Sequence, residues 1–92
     1  MKLKSNFVLR QIAGTWVVMP LSKDILNFDG MLSLNETGVA LWLWMEKGLE
    51  RESLVDMLTL EYDVSRNQAL ADIDEFITKL KKAGCIQEES RS

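Results

Sequence analysis

The change from strand to helix falls within residues 28–38, Phe28-Asp29-Gly30-Met31-Leu32-Ser33-Leu34-Asn35-Glu36-Thr37-Gly38. In an extended chain Phe28, Leu32 and Leu34 lie on one face, whereas Asp29, Met31 and Ser33 lie on the other. After Leu34 the period becomes helical, because Asn35 is a favourable N-cap and Glu36 suits the positive first turn. The stretch therefore predicts a strand that is buried on one side and leads directly into a helix.

Two more strands are predicted before this one, since β-branched and aromatic residues are concentrated there between turn residues. We place the three strands at Phe7 to Ile12, Thr15 to Met19 and Phe28 to Leu34. The intervening Ala13-Gly14 is short enough for a hairpin. Pro20 has no amide hydrogen and ends the second strand.

Three helices are predicted after the strands. The first ends at Gly48, the second runs from about Glu50 to Tyr62, and the third begins at Ser65, with Gln68 completing a capping box. The third helix ends before Gly84, after a last turn rich in lysine that suits its negative end. Its apolar residues fall within an arc of about 140° and predict a core face: Ala69, Leu70, Ile73, Phe76, Ile77, Leu80 and Ala83. The expected fold is α+β, a winged helix-turn-helix with a three-stranded antiparallel sheet followed by three helices.

Length and composition indicate that the chain forms one small domain. Its 92 residues are 47% hydrophobic and 27% charged, which is typical of a globular domain. We expect a single domain over residues 1–92, with a core at about 7–86, an extended piece at Cys85 and Ile86, and a tail at 87–92. The longest apolar run is too short to span a bilayer, and residues 1–6 do not begin an export signal, so we expect a cytoplasmic protein with no membrane partner.

The chain has few of the side chains that catalysis and metal binding usually require. The chain has no histidine and one cysteine, Cys85. A zinc cage, an internal disulfide, an iron–sulfur cluster and a Cys–His nucleophile pair are therefore excluded within this chain. The carboxylates of Asp72 and Glu75 at helical spacing, and that of Asp74 beside the hydroxyl of Thr78, are interpreted as solvated charges with unshifted pKa values. We predict no enzyme activity, cofactor or metal.

The charge pattern argues against nucleic acid. The net charge is -3, and the helix that would read DNA carries Asp72, Asp74 and Glu75 on its exposed side. Only Arg66 and Asn67 are available there for base contacts. The fold is one that often binds DNA, but this ligand is not expected.

The first helix contains a tryptophan pair, Trp42 and Trp44, about 200° apart around the helix axis. A central helix sandwiched between the sheet and the other helices would bury both rings, and this is the favoured interpretation. The alternative is an exposed patch for a partner enzyme or for a second copy in a homodimer.

The order of motifs resembles the PqqD-like proteins, the RiPP recognition elements. The resemblance rests on Val8-Leu9-Arg10, on residues 32–38 followed by a helix ending at Gly48, and on the later segments with Leu54-Val55, Ala71-Asp72-Ile73 and Ala83-Gly84-Cys85-Ile86. It covers roughly residues 7–86, and residues 32–38 are its most specific part. Cys85 stands where the family commonly has an aliphatic residue.

The resemblance implies a non-catalytic peptide binder. Such proteins hold the leader segment of a ribosomally synthesised precursor and present it to a modifying enzyme, often a radical SAM enzyme, which is the class we expect here. The leader would pair with the third predicted strand, in the cleft between it and the third helix. The peptide-binding residues implied here are Asp29, Gly30, Met31, Leu32, Ser33, Leu34, Asp72, Ile73, Phe76, Lys79 and Leu80.

Strand addition is also physically reasonable without the family, because a sheet edge offers unpaired amide and carbonyl groups to an extended peptide. The plainer interpretation is that Ile73, Phe76 and Leu80 are core residues and Asp72 is a solvated helix residue. Two other functions stay open: a winged-helix regulator that binds DNA or protein, and a dimerisation module that uses the tryptophan helix.

Overall fold

The computed structural model describes residues 2–4, 7–21 and 32–87, with the side chain of Gln87 excepted. Three antiparallel strands followed by three helices confirm the predicted α+β fold. The elements in chain order are β1 (Lys2–Leu3), β2 (Phe7–Ile12), β3 (Thr15–Pro20), β4 (Leu32–Leu34), α1 (Glu36–Glu46), α2 (Arg51–Glu61), α3 (Arg66–Lys82) and β5 (Ile86–Gln87).

The main sheet has the strand order β2-β3-β4 and is antiparallel throughout. Its hairpin closes at Ala13 and Gly14, whose φ angles of 51° and 83° are both in the left-handed region, as a type I′ turn requires. This confirms the predicted hairpin. The predicted third strand corresponds to β4, of which residues 32–34 are described; its predicted beginning at residues 28–31 lies outside the described residues.

A second, two-stranded ribbon joins the two ends of the chain, and the sequence did not predict it. Lys2 pairs with Gln87 and Leu3 pairs with Ile86, while the Lys4 amide donates to the Cys85 carbonyl at 2.8 Å. Gln87 therefore belongs to a strand, not to the tail in which we had placed it. Two-residue strands show no periodicity, and their pairing depends on the fold that brings the two ends together.

Both predicted side-chain caps are present. The Asn35 side chain accepts from the Gly38 amide at 2.8 Å, and the Ser65 hydroxyl accepts from the Gln68 amide at 3.1 Å. These bonds satisfy donors that the first turn of a helix leaves without a partner. They begin α1 directly after β4 and α3 after a short turn from α2.

The core lies between the inner face of the sheet and the three helices. Trp42 is fully buried at its centre, and its indole Nε1–H donates to Glu46 Oε2 at 3.0 Å. Trp44 is half-buried and packs against the same core, so the favoured interpretation that both rings are buried is met by Trp42 and only in part by Trp44. The predicted face of α3 is also inside, with its five buried residues being Ala69, Ile73, Phe76, Ile77 and Leu80. None of the helices in the described part of the chain is long and apolar enough to cross a membrane.

Ion pairs tie α3 to α2. Arg51 donates to both oxygens of Asp74, from Nε at 2.7 Å and from Nη2 at 2.9 Å. Arg66 donates to Asp56 at 3.1 Å and to Glu52 at 2.9 Å. The hydrogen bond from Arg51 lowers the pKa of Asp74, which corrects our expectation of an unshifted carboxylate there.

Candidate functional site

A groove runs between β4 and α3, over the first turn of α1. It consists of two adjoining cavities of about 190 and 390 Å³, which share Asn35, Gly38, Phe76 and Lys79. We call it the β4–α3 groove. Its complete lining is Thr15, Ser33, Leu34, Asn35, Thr37, Gly38, Leu41, Asp72, Glu75, Phe76 and Lys79.

The floor of the groove depends on a close approach at Gly38. A Cβ atom there would lie 3.2 Å from the Cβ of Leu34 and 3.4 Å from Cε1 of Phe76. The absence of a side chain thus lets α1 come close to both β4 and α3. Phe76 is only 8% exposed, so it supplies a rigid apolar floor shared by both cavities.

Charges of opposite sign line the α3 side of the groove. Lys79 borders both cavities, whereas Asp72 and Glu75 border only the smaller one. Asp72 and Lys79 are seven residues apart, which is about 10 Å along a helix. Gln68 holds the Asp72 carboxylate in place by donating from Nε2 at 2.8 Å. A bound chain therefore meets a cationic and an anionic side chain at separate positions.

The direction of the main-chain groups in β3 follows from the hairpin. Ile12 and Thr15 are register partners that flank a two-residue turn, and in such a turn the two flanking residues form a hydrogen-bonded pair. Such pairs alternate along an antiparallel ladder. Thr15 and Val17 accordingly direct their main-chain groups toward β2, and Trp16 and Val18 direct theirs toward β4.

The same alternation decides which groups of β4 remain free. Trp16 pairs with Leu34 and Val18 pairs with Leu32, so Leu32 and Leu34 use their amides and carbonyls to bond β3. Ser33 then points its amide and carbonyl to the opposite side. Within residues 2–4, 7–21 and 32–87 no strand pairs with that side of β4, which is an edge of its sheet. Ser33 lines the larger cavity of the groove, so this free side of β4 lies beside the groove.

Five of the eleven predicted site residues line the groove: Ser33, Leu34, Asp72, Phe76 and Lys79. The sequence could predict that these residues lie together, because the family resemblance names one strand and one helix as the walls of the cleft. Alternation along the strand and helical spacing then indicate which side chains of each element face the cleft. Leu32 is half-buried against the core and lines neither cavity.

Two predicted site residues are placed elsewhere. Ile73 and Leu80 are 0% exposed and lie in the core, so they offer no surface to a peptide in this structure. They belong to the apolar stripe of α3 and are part of the same core cluster as Phe76. Asp29, Gly30 and Met31 lie outside the described residues.

Sequence reasoning did not select Thr15, Gly38 or Glu75 for the site. Gly38 could have been selected from the sequence, because a glycine in the first turn of a helix suggests that another part of the chain approaches the helix closely there. Glu75 had been interpreted as a solvated charge. Thr15 offered no signal, since it reaches the groove only through the β3–β4 register.

The buried cysteine gives no sign of a catalytic role. Cys85 is 0% exposed, and burial raises the pKa of its thiol to about 11. A thiol of this kind is mostly protonated near neutral pH and is a poor nucleophile. In the described part of the chain no group of three or more cysteine, aspartate or glutamate side chains is arranged to hold a metal ion.

Comparisons with known proteins agree with this fold. A family model described as coenzyme PQQ synthesis protein D (PqqD) matches residues 15–86. A search of curated proteins found no match. Among solved structures, TbiB1 in complex with the TbiA(beta) leader peptide has a TM-score of 0.78 at 23% identity, over 99% of this chain and 100% of the other. A lasso peptide synthetase B1 complexed with its leader peptide has a TM-score of 0.75 at 23% identity, over 95% and 96%.

Proposed function

Because this chain belongs to the PqqD family, we propose that it is an adaptor that binds the leader segment of a ribosomally synthesised precursor peptide and presents it to a modifying enzyme. The observation that carries the proposal is the β4–α3 groove, which lies directly beside the outward main-chain groups of Ser33. A groove at a sheet edge is the arrangement that strand addition requires.

In this proposal the leader binds as an additional strand along β4. Its main chain pairs with the outward amide and carbonyl of Ser33 and continues the ladder that ends at β4. One such hydrogen bond contributes only about 0.5–1.5 kcal/mol, so the main chain alone cannot hold the peptide. Side-chain contacts in the groove must supply the remaining affinity.

Those contacts come from both walls of the groove. An apolar leader residue that points toward the helices rests on Leu34 and Phe76, where its burial is favourable. Lys79 then pairs with an acidic leader residue, and Asp72 pairs with a basic one about two helical turns away. The apolar contact provides affinity, and the separated charges select a peptide of matching pattern.

The similar solved structures support this proposal through their fold. Both are described as complexes with a leader peptide, and both cover nearly the whole of this chain. At 23% identity they establish the fold, while the binding of a leader by this chain rests on its own groove and edge.

The chemistry of peptide modification belongs to the partner enzyme in this proposal. The one thiol of the chain is buried, with its pKa raised to about 11, and the groove itself is lined by apolar, neutral polar and charged side chains. We retain a radical SAM enzyme as the proposed partner, in a cytoplasmic pathway.

The alternative of a DNA-binding regulator is not favoured by the geometry of α3. Its first residue, Arg66, is engaged with Glu52 and Asp56. A phosphate or base contact by this guanidinium would have to replace those two ion pairs. Asp72 and Glu75 on the next turns of the helix would add repulsion.

Calorimetric titration with the leader of a precursor peptide encoded beside this gene tests the proposal. We expect saturable one-to-one binding, with a scrambled leader of the same composition as control. Amide hydrogen exchange should show new protection at Ser33, while Leu32 and Leu34 are already protected in the free protein. Binding of duplex DNA with strong salt dependence, and no binding of the leader, would establish the regulator instead.

A further inference from the structure

Trp16 is an exposed aromatic residue for which the proposed strand addition has no role. It lies in β3 opposite Leu34, on the face of the sheet that packs against the helices, yet it is 37% exposed. With Val39 of α1 it borders a separate open cavity of about 410 Å³ at the hairpin end of the sheet. We call this the Trp16 cavity.

The Trp16 cavity adjoins the β4–α3 groove. Thr15, Leu34 and Asn35 line both of them. Only the junction of β4 with α1 separates the two spaces. A peptide strand that pairs with Ser33 and continues past Leu34 therefore reaches the Trp16 cavity with its next residues.

We propose that the Trp16 cavity is a second subsite for the leader peptide, which receives an apolar side chain from the part of the peptide that extends past Leu34. This inference rests on the proposed leader-binding function. The apolar walls are Trp16, Leu34 and Val39, and a buried tryptophan contact is typical of the residues that dominate binding energy. The subsite adds a second apolar anchor to the one at Phe76, so the leader is held on both sides of β4.

The lining residues that the Trp16 cavity shares with the β4–α3 groove favour the leader over the modifying enzyme as the occupant. An enzyme surface would have to reach a cavity whose three shared residues already border the leader path. The leader passes these residues in any strand pairing that extends beyond Leu34, and the cavity of about 410 Å³ has room for an apolar side chain.

Two readouts with the wild-type leader test this subsite. Trp16→Thr keeps a good strand residue, and Val39→Gln changes the opposite wall; each should weaken leader binding about tenfold or more in calorimetry. Leu60→Gln is the matched control, because Leu60 is 77% exposed and lines no part of the groove or the cavity. Thermal melting followed by circular dichroism identifies any variant that loses affinity through misfolding.

The second readout uses the fluorescence of Trp16 itself. Leader binding should shift the emission of the wild-type protein to shorter wavelength and reduce quenching by acrylamide, and Trp16→Phe should lack both changes. Trp42 is already buried, and the half-buried Trp44 is present in both proteins, so the difference between the wild type and Trp16→Phe reports on Trp16.

The possible outcomes separate the subsite from the adaptor function. If the leader binds, but the Trp16→Thr and Leu60→Gln proteins bind it equally and the emission does not move, the subsite is wrong and the adaptor function stands. Loss of enzyme association alone, with leader affinity intact, would assign the cavity to the modifying enzyme and also overturn the subsite. Failure of the wild-type protein to bind the leader would overturn the adaptor function.

Discussion

Val17 and Ser33 face each other across β3 and β4 as a pair without main-chain hydrogen bonds between them. Val17 uses its amide and carbonyl to bond β2, so those of Ser33 point to the opposite edge. One residue of β4 thus presents the main-chain groups that the proposed leader strand needs, and its neighbours Leu32 and Leu34 do not.

Proline at Ser33 should weaken leader binding while leaving the fold intact. Proline removes the outward amide and places a ring at the edge, and edge strands tolerate it where the amide does not serve the ladder. We expect the affinity to fall about five- to tenfold in calorimetry, which corresponds to one lost hydrogen bond. Ser33→Ala, which keeps the amide, is the control and should bind nearly as well as the wild type.

Proline at Leu32, the neighbouring position whose amide points toward β3, should instead destabilise the fold. Leu32→Pro removes an amide that bonds β3, so we expect a clear fall in melting temperature of the free protein. If correctly folded Ser33→Pro protein bound the leader as well as Ser33→Ala does, strand addition at β4 would be ruled out.

An added methyl group at Gly38 should affect the groove more than the stability. Alanine gains about 1 kcal/mol of helix propensity over glycine, while its Cβ would lie 3.2 Å from Leu34 and pushes on the floor at Phe76. These effects oppose each other, so we expect the free energy of unfolding to change by less than about 1 kcal/mol. Leader affinity should fall, because the methyl group enters both cavities. Denaturant melts and calorimetry on the same protein measure the two quantities.

Reversal of charge at Lys79 should change the rate of leader association. Lys79→Glu makes the α3 wall wholly acidic, so an acidic leader should bind several-fold more slowly at low salt, and the difference should shrink as salt is added. Lys82→Glu is the matched control, since Lys82 lies in the same last turn but outside the groove lining. Equal association rates for the two variants in stopped-flow experiments would remove Lys79 from the site.

The ion pair between Arg51 and Asp74 should contribute stability that depends on pH. The folded-state pKa of Asp74 lies below its ordinary value of 3.8, so the contribution is present above that pH and is lost as the pH falls through the folded-state value. Asp74→Asn should melt slightly below the wild type at pH 7, and the gap should close in strong acid. The effect is small because the pair is exposed. A gap that widened in acid would contradict this assignment.

The thiol of Cys85 should react only when the protein unfolds. A rise of its pKa from 9.0 to about 11 lowers the thiolate fraction at pH 8 about a hundredfold, and burial also blocks access. Alkylation by iodoacetamide, followed by mass spectrometry, should therefore be much slower for the folded protein than in guanidinium chloride. Rapid alkylation of folded protein would show that the thiol is accessible.

Local patterns predicted most of the secondary structure. The Asn35 and Ser65 caps, the Ala13-Gly14 turn and the apolar stripe of α3 act over a few residues, so the sequence shows them directly. The bounds of α2 differ from the prediction by one residue at each end, because Glu50 and Tyr62 flank the helix.

The candidate site was only partly predictable, because a helical stripe does not show where the core ends. Ile73 and Phe76 lie on the same face of α3, and only Phe76 reaches the groove. Ser33 and Phe76 were predicted together because the family resemblance named their strand and helix. No local pattern indicated that Trp16 would remain exposed beside them.

The sequence by itself determined the order of the three strands of the main sheet and the three helices, the Asn35 and Ser65 caps, and the family, since each depends on residues close together in the chain or on their spacing. The tertiary structure decided the pairing of β1 with β5, the Arg51 to Asp74 ion pair and the outward direction of Ser33. It also decided which side chains border the β4–α3 groove and the Trp16 cavity. These features form where segments distant in sequence come together. The packing of those segments determines which atoms are in contact, and the periodicity of the sequence does not show it.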